Sequence, residues 1–182
     1  MPAKLKRNLV LQPFPEAIST PNVTLRGSAS RQSRSLALTY VLQGNLTELT
    51  LPGVSSGRDR RDLLWQTTCF EWFLRQPEHS TYWEFNVSPS GDWNAYRFSD
   101  YRQHITEETA IEALPFRVTR TEECFQLEVE VNLGGILVAK TPIEVAIAAV
   151  IQTQSGELSY WALHHPKERA DFHAREGFRL AL

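Results

Sequence analysis

The 182-residue sequence predicts an all-β protein, a single domain (residues 1–182) folded as an antiparallel β-sandwich of jelly-roll type. Three observations predict this fold. Apolar and polar residues alternate with a period of two in many short segments. Clusters of Gly, Pro, Asn, Asp and Ser separate those segments at short intervals. No long stretch combines helical periodicity with helix caps.

Two segments show the strand patterns most clearly. Residues 124–131 alternate strictly, which is typical of a strand with one solvated face. Residues 143–151 are almost entirely apolar and rich in β-branched types, which indicates a central strand or a short buried helix. Residues 106–113 are the best candidate for a helix. The other predicted strands are residues 8–12, 23–27, 35–42, 46–51, 67–75, 81–88, 93–98, 116–120, 157–163 and 177–182.

The composition argues against several classes of function. A formal net charge of −2 is unlike that of a general nucleic-acid-binding protein. The longest apolar run is far shorter than the ~20 residues that a membrane span needs. No apolar segment follows the basic N-terminal residues, so we expect no secretory signal and a cytoplasmic location. Cys69 and Cys124 are then expected to be free, buried thiols. Arg58, Arg60 and Arg61 alternate with acidic residues and are expected to lie in a solvated loop.

Most of the candidate functional residues lie between Trp65 and Arg102. If residues 65–74 form one continuous strand, this strand and the next each have an apolar and a polar face. The apolar faces, expected to lie in the core, carry Phe70, Trp72, Leu74, Trp83, Phe85 and Val87. The polar faces, with the following strand, predict a ligand surface composed of Glu71, Glu84, Asn86 and Arg97 beside Trp65 and Trp93.

This central block resembles the DOMON-like domains, bacterial proteins related to family-nine carbohydrate-binding modules. The residues that carry the resemblance are LWQTTCFEWF (64–73), YWEFNVSPSGDW (82–93), YRF (96–98), YR (101–102), YWALHHP (160–166) and DFH (171–173). The resemblance implies a jelly-roll sandwich that binds a saccharide on its concave sheet. It implies that Trp65 stacks on the sugar, that Glu71 accepts a hydroxyl, and that Asn86 or Glu84 adds a polar contact. The second tryptophan of those modules is replaced here by Phe172 and His173.

The residue types suit that chemistry, since an indole packs on the C–H face of a sugar and carboxylate, amide and guanidinium groups bond its hydroxyls. We therefore expect a non-catalytic module for a small saccharide or sugar-derived metabolite, with no cofactor. Trp65, Glu71 and Asn86 are its main contacts, and Glu84, Arg97 and His173 its secondary ones. The sequence does not predict an oligomeric state.

Two alternatives remain open at this point. One is a haem- or metal-binding domain of the DOMON type that uses His164, His165, Asp171 or His173. Since Met1 is the only methionine, a haem site would lack a Met ligand. The other is a glycosidase that uses Glu71 and Glu84 as its carboxylate pair.

Overall fold

The computed structural model describes residues 6–15, 20–54 and 58–182, which form twelve β-strands and four 3₁₀ helices of three residues each. The strands are β1 (Lys6–Pro13), β2 (Val23–Gln32), β3 (Ser35–Gly44), β4 (Cys69–Arg75), β5 (Tyr82–Val87), β6 (Trp93–Phe98), β7 (Thr106–Glu107), β8 (Phe116–Arg120), β9 (Cys124–Asn132), β10 (Glu144–Gln152), β11 (Leu158–Ala162) and β12 (Leu180–Ala181). The helices are Leu46–Glu48, Leu64–Gln66, Leu133–Gly135 and Arg175–Gly177. Within these described ranges, no helix has the length and apolar character needed to cross a membrane.

The strands form two layers, and every strand pair is antiparallel. The front sheet has the order β7-β6-β5-β4-β10-β11, with β12 beside β10, and the back sheet has the order β1-β2-β3-β9-β8. Strand β1 joins the two layers, because residues 6–11 pair with β2 and residues 12–13 pair with β11. The predicted all-β sandwich of jelly-roll type is confirmed.

The core lies between the two sheets. Trp72 of β4 stacks on Phe85 of β5, with ring centroids 4.9 Å apart. Phe70 of β4 stacks across the sandwich on Phe125 of β9 at 5.3 Å. Tyr40 of β3 also crosses the layers, and its hydroxyl donates to the backbone carbonyl of Glu71 at 2.7 Å. Burial of each large apolar side chain stabilises the fold by about 1.5–3 kcal/mol.

The pairing register confirms the predicted division of faces in β4 and β5. Trp72 lies opposite Phe85 and Glu71 lies opposite Asn86, so the inner face is apolar and the polar side chains share the outer face. The outer face also carries the aromatic residues Phe73 and Tyr82. Trp93, which the sequence placed beside the ligand surface, lies in the core between the sheets instead. The outer face of the front sheet is therefore where the candidate site must be sought.

Two predicted elements are wrong, and the predicted strand 177–182 is reduced to β12, because a 3₁₀ helix ends at Gly177. Residues 46–51 begin with a 3₁₀ helix rather than a strand, because the Asn45 side chain accepts from the backbone amide of Thr47 and caps the turn. Residues 106–113 contain strand β7 rather than a helix, because residues 106–107 pair with β6. Arg60 then binds the backbone carbonyls of Glu108 and Ile111, which holds the segment in an irregular conformation.

The expectation of a solvated basic loop is wrong for Arg60. Its guanidinium lies 4.3 Å from the ring centroid of Trp93 and donates to Asn94 Oδ1 at 2.9 Å.

The cysteines are both free, but only Cys69 is fully buried, while Cys124 is half-buried. Of the basic N-terminal segment on which the expected location depends, residues 1–5 lie outside the described residues.

Candidate functional site

A pocket lies on the outer face of the front sheet, beneath the segment that follows β11. This covering segment, residues 164–179, packs on the sheet through its aromatic side chains. Phe172, His173 and Phe178 lie with their ring centroids 6.4, 5.0 and 6.4 Å from that of Phe73 in β4. The space left between sheet and segment is about 320 Å³ and is lined by Trp65, Glu71, Glu84, Phe98, Arg102, Ile105, Val150, Tyr160, Ala170, Phe172 and His173.

Glu71 lies at the floor of this pocket. Its side chain is buried, at 3% exposure, and its Oε1 atom has no hydrogen-bond partner. Burial, together with repulsion from Glu84, raises the pKa of Glu71 well above its ordinary value, and the Cys69 thiol offsets this only in part. An unpaired buried carboxyl oxygen is costly, so a ligand group that bonds it would gain free energy.

Glu84 lies beside Glu71 on the neighbouring strand and is also buried, at 5% exposure. Its Oε1 atom accepts a hydrogen bond from Asn86 Nδ2 at 2.7 Å. Burial raises the pKa of Glu84 to about 7, although the bond from Asn86 and the charge of Arg102 both act to lower it. The carboxyl is therefore protonated in a large fraction of molecules near neutral pH.

His173 closes the pocket from the covering segment. The Tyr82 hydroxyl accepts from the backbone amide of Arg102 at 3.1 Å, so it donates its own proton to His173 Nδ1, 2.8 Å away. Burial, with the charge of Arg102, lowers the pKa of His173 to about 4, so the ring is neutral with its proton on Nε2. Nε2 lies 3.7 Å from Glu84 Oε2, so the two groups form neither an ion pair nor a direct hydrogen bond.

Asp171 ties the covering segment to the loop after β6. Its carboxylate accepts from the Tyr101 hydroxyl at 2.7 Å and from Arg102 at 3.2 Å, and Lys167 lies 3.1 Å away. Partial burial alone would raise the pKa of Asp171, but the hydrogen bonds from these three residues outweigh it and lower that pKa to about 2. Asp171 is thus ionised throughout the neutral range, and it fixes the rim of the pocket.

Two half-exposed aromatic side chains form the walls. Trp65 lies on the 3₁₀ helix Leu64–Gln66, not on the continuous strand that the sequence predicts, and its ring packs edge-on against Tyr96 at 6.0 Å. Phe172 packs edge-on against Tyr160 at 6.1 Å. Both walls therefore keep part of their surface free to contact a ligand.

The structure brings most of the predicted site residues together. Trp65, Glu71, Glu84 and His173 line one pocket, and Asn86 lies directly behind it, bonded to Glu84. Arg97 does not join them. In the pairing of β5 with β6, Arg97 lies opposite Trp83, whose side chain is on the inner face of the sheet. The side chain of Arg97 is therefore on the inner face too, opposite to the pocket.

Sequence reasoning missed several lining residues. Arg102 belongs to the block that carries the family resemblance, but the sequence predicts no role for it. Phe172 is predicted only to stand where the related modules have a tryptophan. The one local signal at Arg102 is its left-handed backbone, with φ of 52°, which a sequence does not reveal for a residue other than glycine. Phe98, Ile105 and Tyr160 reach the pocket through the tertiary fold alone.

The histidines named for a metal or haem have other contacts. His164 Nε2 lies 3.0 Å from an Arg179 nitrogen, and His165 Nε2 lies 2.9 Å from the backbone carbonyl of Gln12. His173 is bonded to Tyr82. Among the described residues, no group of three or more His, Cys, Asp or Glu is arranged to hold a metal ion.

A larger depression of about 670 Å³ lies on the outer face of the back sheet. It is lined by exposed side chains such as Arg117, Glu128 and Glu130. Its acidic groups are solvated, whereas those of the front-sheet pocket are buried and perturbed. Perturbed ionisable groups in a cleft mark a functional site better than volume does, so we take the smaller pocket as the candidate site.

Comparison with known proteins identifies relatives of the fold. No family model and no curated protein matches the sequence. Among solved structures, a candidate carbohydrate-binding protein from Bacteroides uniformis ATCC 8492 matches with a TM-score of 0.62 and 11% identity, over 93% of this chain and 84% of that chain. A family 9 carbohydrate-binding module from Caldicellulosiruptor kristjanssonii, solved with cellotriose, matches with a TM-score of 0.52 and 11% identity, over 88% of this chain and 75% of that chain. The chain thus has the β-sandwich fold of family 9 carbohydrate-binding modules.

Proposed function

We propose that the protein is a non-catalytic binding module for a small saccharide, which occupies the pocket between the front sheet and the covering segment. The resemblance of its central block to DOMON-like domains and its fold similarity to carbohydrate-binding modules support this proposal. A volume of about 320 Å³ is at the lower end of ligand pockets, which range from about 300 to 1,000 Å³. It therefore suits one or two sugar rings better than a polymer.

The lining supplies both kinds of contact that a sugar needs. Trp65 and Phe172 offer apolar faces for the C–H surface of the ring. Glu71, Glu84 and the Nε2–H group of His173 offer acceptors and donors for hydroxyl groups. These polar groups are held by the sheet and by Tyr82, so they need little reordering when a ligand binds.

One observation carries the proposal: the buried carboxyl of Glu71 lines the pocket floor, and its Oε1 atom has no hydrogen-bond partner. Buried polar atoms in native proteins almost always have a partner. Of the three unpartnered buried side-chain atoms in the described residues, which belong to Arg31, Glu71 and Trp72, only that of Glu71 belongs to a residue that lines this pocket. A hydroxyl group of a ligand in the pocket would give the Glu71 carboxyl a partner that the protein does not supply.

The test is isothermal titration calorimetry with a panel of neutral mono- and disaccharides. We expect saturable binding, and a loss of at least about tenfold in affinity for both Trp65→Ala and Glu71→Ala, since tenfold corresponds to about 1.4 kcal/mol. Arg97→Ala is the matched control. The sequence predicts that Arg97 belongs to the site, whereas the structure places it on the opposite face of the sheet. Binding by no sugar, or equal affinity in all variants, would contradict the proposal.

The pair Glu71 and Glu84 also favours one second candidate, a glycosidase. Burial raises the pKa of Glu84 to about 7, as a general acid requires. The second carboxyl of a glycosidase must be ionised, however, whereas burial also raises the pKa of Glu71. Release of nitrophenol from nitrophenyl glycosides, abolished by Glu71→Gln, would establish this alternative and displace the non-catalytic proposal.

A further inference from the structure

The floor of the pocket carries acidic groups whose charge the protein does not balance. Glu71 and Glu84 are both nearly inaccessible to water. Of the ion pairs in the described ranges, none joins a Lys or Arg side chain to either carboxyl. The nearest basic ring, His173, is neutral, because burial lowers its pKa to about 4.

The cations near the pocket are already engaged at its rim. Arg102 lies 3.2 Å from Asp171, and Lys167 lies 3.1 Å from the same carboxylate. The remaining groups around the two floor acids are uncharged near neutral pH. Burial raises the pKa of Tyr82 to about 12 and raises the pKa of the Tyr96 hydroxyl and of the Cys69 thiol. Apart from the charge of Arg102, which acts on Glu84 from the rim, no charge among the groups named here compensates the two floor carboxyls.

Burying an unpaired carboxylate is expensive, and a protein can avoid the cost in two ways. It can protonate the group, which the raised pKa values of Glu71 and Glu84 favour. Alternatively, a bound cation can supply the missing charge and restore the ionised form. The carboxylate of Glu71, which lines the pocket, then accepts from the N–H groups of that cation.

The walls favour an organic cation. Trp65, Phe98 and Phe172 line the pocket around the two acids, and aromatic faces attract an ammonium group that has left water. The same rings contact the C–H face of a sugar. One ligand class meets both requirements, a sugar that carries a protonated amine.

We propose that the pocket selects an amino sugar, with its ammonium group directed to Glu71 and Glu84 and its ring held between Trp65 and Phe172. The inference rests on the proposed function and narrows its ligand class. When the ammonium group binds to a protonated carboxyl, the carboxyl proton passes to the buffer and an N–H⁺···O⁻ contact forms. Binding below the raised pKa of Glu84 is therefore accompanied by proton release.

The experiment compares glucose, glucosamine and N-acetylglucosamine by titration calorimetry at about pH 6, in two buffers of different ionisation enthalpy. The three sugars share one ring shape, and only glucosamine is charged. We expect glucosamine to bind at least about tenfold more tightly than the other two, as charge-assisted hydrogen bonds are stronger than neutral ones. We also expect the heat of glucosamine binding to differ between the buffers in the direction of proton release.

Single-residue variants test whether Glu71 and Glu84 cause the preference for glucosamine. Glu71→Gln and Glu84→Gln keep the shape and a hydrogen-bonding oxygen but remove the charge, so each should reduce the preference for glucosamine while neutral sugars still bind. Glu128→Gln is the matched control, since this glutamate lies exposed on β9 of the back sheet. Circular dichroism spectra that match the parent protein will show that the variants are folded.

The outcomes separate the two proposals. Equal affinity for glucose and glucosamine, or a preference that survives both glutamine substitutions, overturns the amino-sugar inference and leaves the saccharide proposal intact. Absence of binding by all three sugars overturns the inference, and failure of the wider saccharide panel overturns the proposed function as well. A preference that is lost only in Glu128→Gln would place binding on the back sheet and overturn the site.

Discussion

Replacing Glu84 by glutamine is expected to stabilise the ligand-free protein above neutral pH. The glutamine side chain has the same shape, and its oxygen can still accept the hydrogen bond from Asn86. It cannot ionise, however. The substitution therefore removes the cost of placing a charge at the pocket floor and leaves the packing unchanged.

The size of the effect follows from the pKa of Glu84, which burial raises from 4.5 to about 7. A shift of one pKa unit corresponds to about 1.4 kcal/mol, so the full effect of this shift on the free energy of unfolding is about 3 kcal/mol. The folded protein binds this proton more tightly than the unfolded chain does. The contribution of Glu84 is thus fully present below about pH 4.5, and it is lost as the pH rises to about 7.

His173 changes the stability of the folded protein in the opposite direction over part of the same pH range. Burial, with the charge of Arg102, lowers the pKa of His173 from 6.5 to about 4, so its contribution is present above pH 6.5 and is lost as the pH falls towards 4. The pH profile of the parent protein alone would therefore mix the two effects. The difference between the Glu84→Gln variant and the parent removes the part of the His173 contribution that does not depend on Glu84, which lies 3.7 Å from His173 Nε2.

Urea denaturation at about pH 4.5, 6 and 8 measures this difference. We expect the free energies of unfolding of variant and parent to be similar at the lowest pH. At the highest pH, the variant should be more stable by about 3 kcal/mol, which for a chain of this size corresponds to about 6–12 °C in Tm. The control, Glu128→Gln, replaces a carboxyl that lies exposed on β9 and should not show this gain in stability. A constant difference for Glu84→Gln would refute the inference that this carboxyl is buried in an unfavourable environment.

Further predictions concern other residues of the core and the pocket. Trp72→Ala should lower the free energy of unfolding by about 3–5 kcal/mol in urea denaturation, because its buried ring leaves a cavity. Trp65→Ala should cost less than half as much while abolishing most sugar binding, and a larger loss of stability would mean that Trp65 is a core residue. Asp171→Asn should weaken sugar binding severalfold and speed hydrogen–deuterium exchange in the neighbouring loop, since it loosens the bonds at the rim; unchanged exchange would contradict this role. Cys69 should resist Ellman's reagent in the native protein while Cys124 reacts, because burial raises the pKa of the Cys69 thiol; equal rates would contradict the burial of Cys69.

The faces of β4 and β5 could be predicted from the sequence because a strand has a fixed period of two. Once Trp72 and Phe85 are assigned to the core, Glu71, Glu84 and Asn86 must lie on the other face. That rule needs no knowledge of the partner strands. It explains why the two floor acids of the pocket could be identified in advance.

Arg97 shows where this reasoning stops. Its face depends on the register between β5 and β6, which is set by the turn between them. The Ser88 amide donates to the Asp92 carbonyl at 2.9 Å, and this pairing brings Trp93 opposite Val87 and Arg97 opposite Trp83. A shift of one residue in the turn would have moved Arg97 to the pocket side.

The covering segment could not be predicted for a different reason. Residues 164–179 form no strand, and their positions follow from contacts with distant residues rather than from a local pattern. Phe172 and His173 reach the pocket because Phe73 and Tyr82 offer an aromatic surface on which they pack. Trp65 likewise reaches it from a short helix that periodicity does not reveal.

The bond between Tyr82 and His173 has a consequence for how the pocket comes into being. These two residues are 91 positions apart in the chain, so their contact closes one of the larger loops of the fold. Contacts of such long separation form slowly, after local hairpins such as β5–β6 have already gained stability. During refolding, local hairpins such as β5–β6 should therefore form before the binding site does. A stopped-flow experiment would then detect a change in the fluorescence of Trp83 and Trp93, which lie on this hairpin, before the protein regains its capacity to bind a sugar.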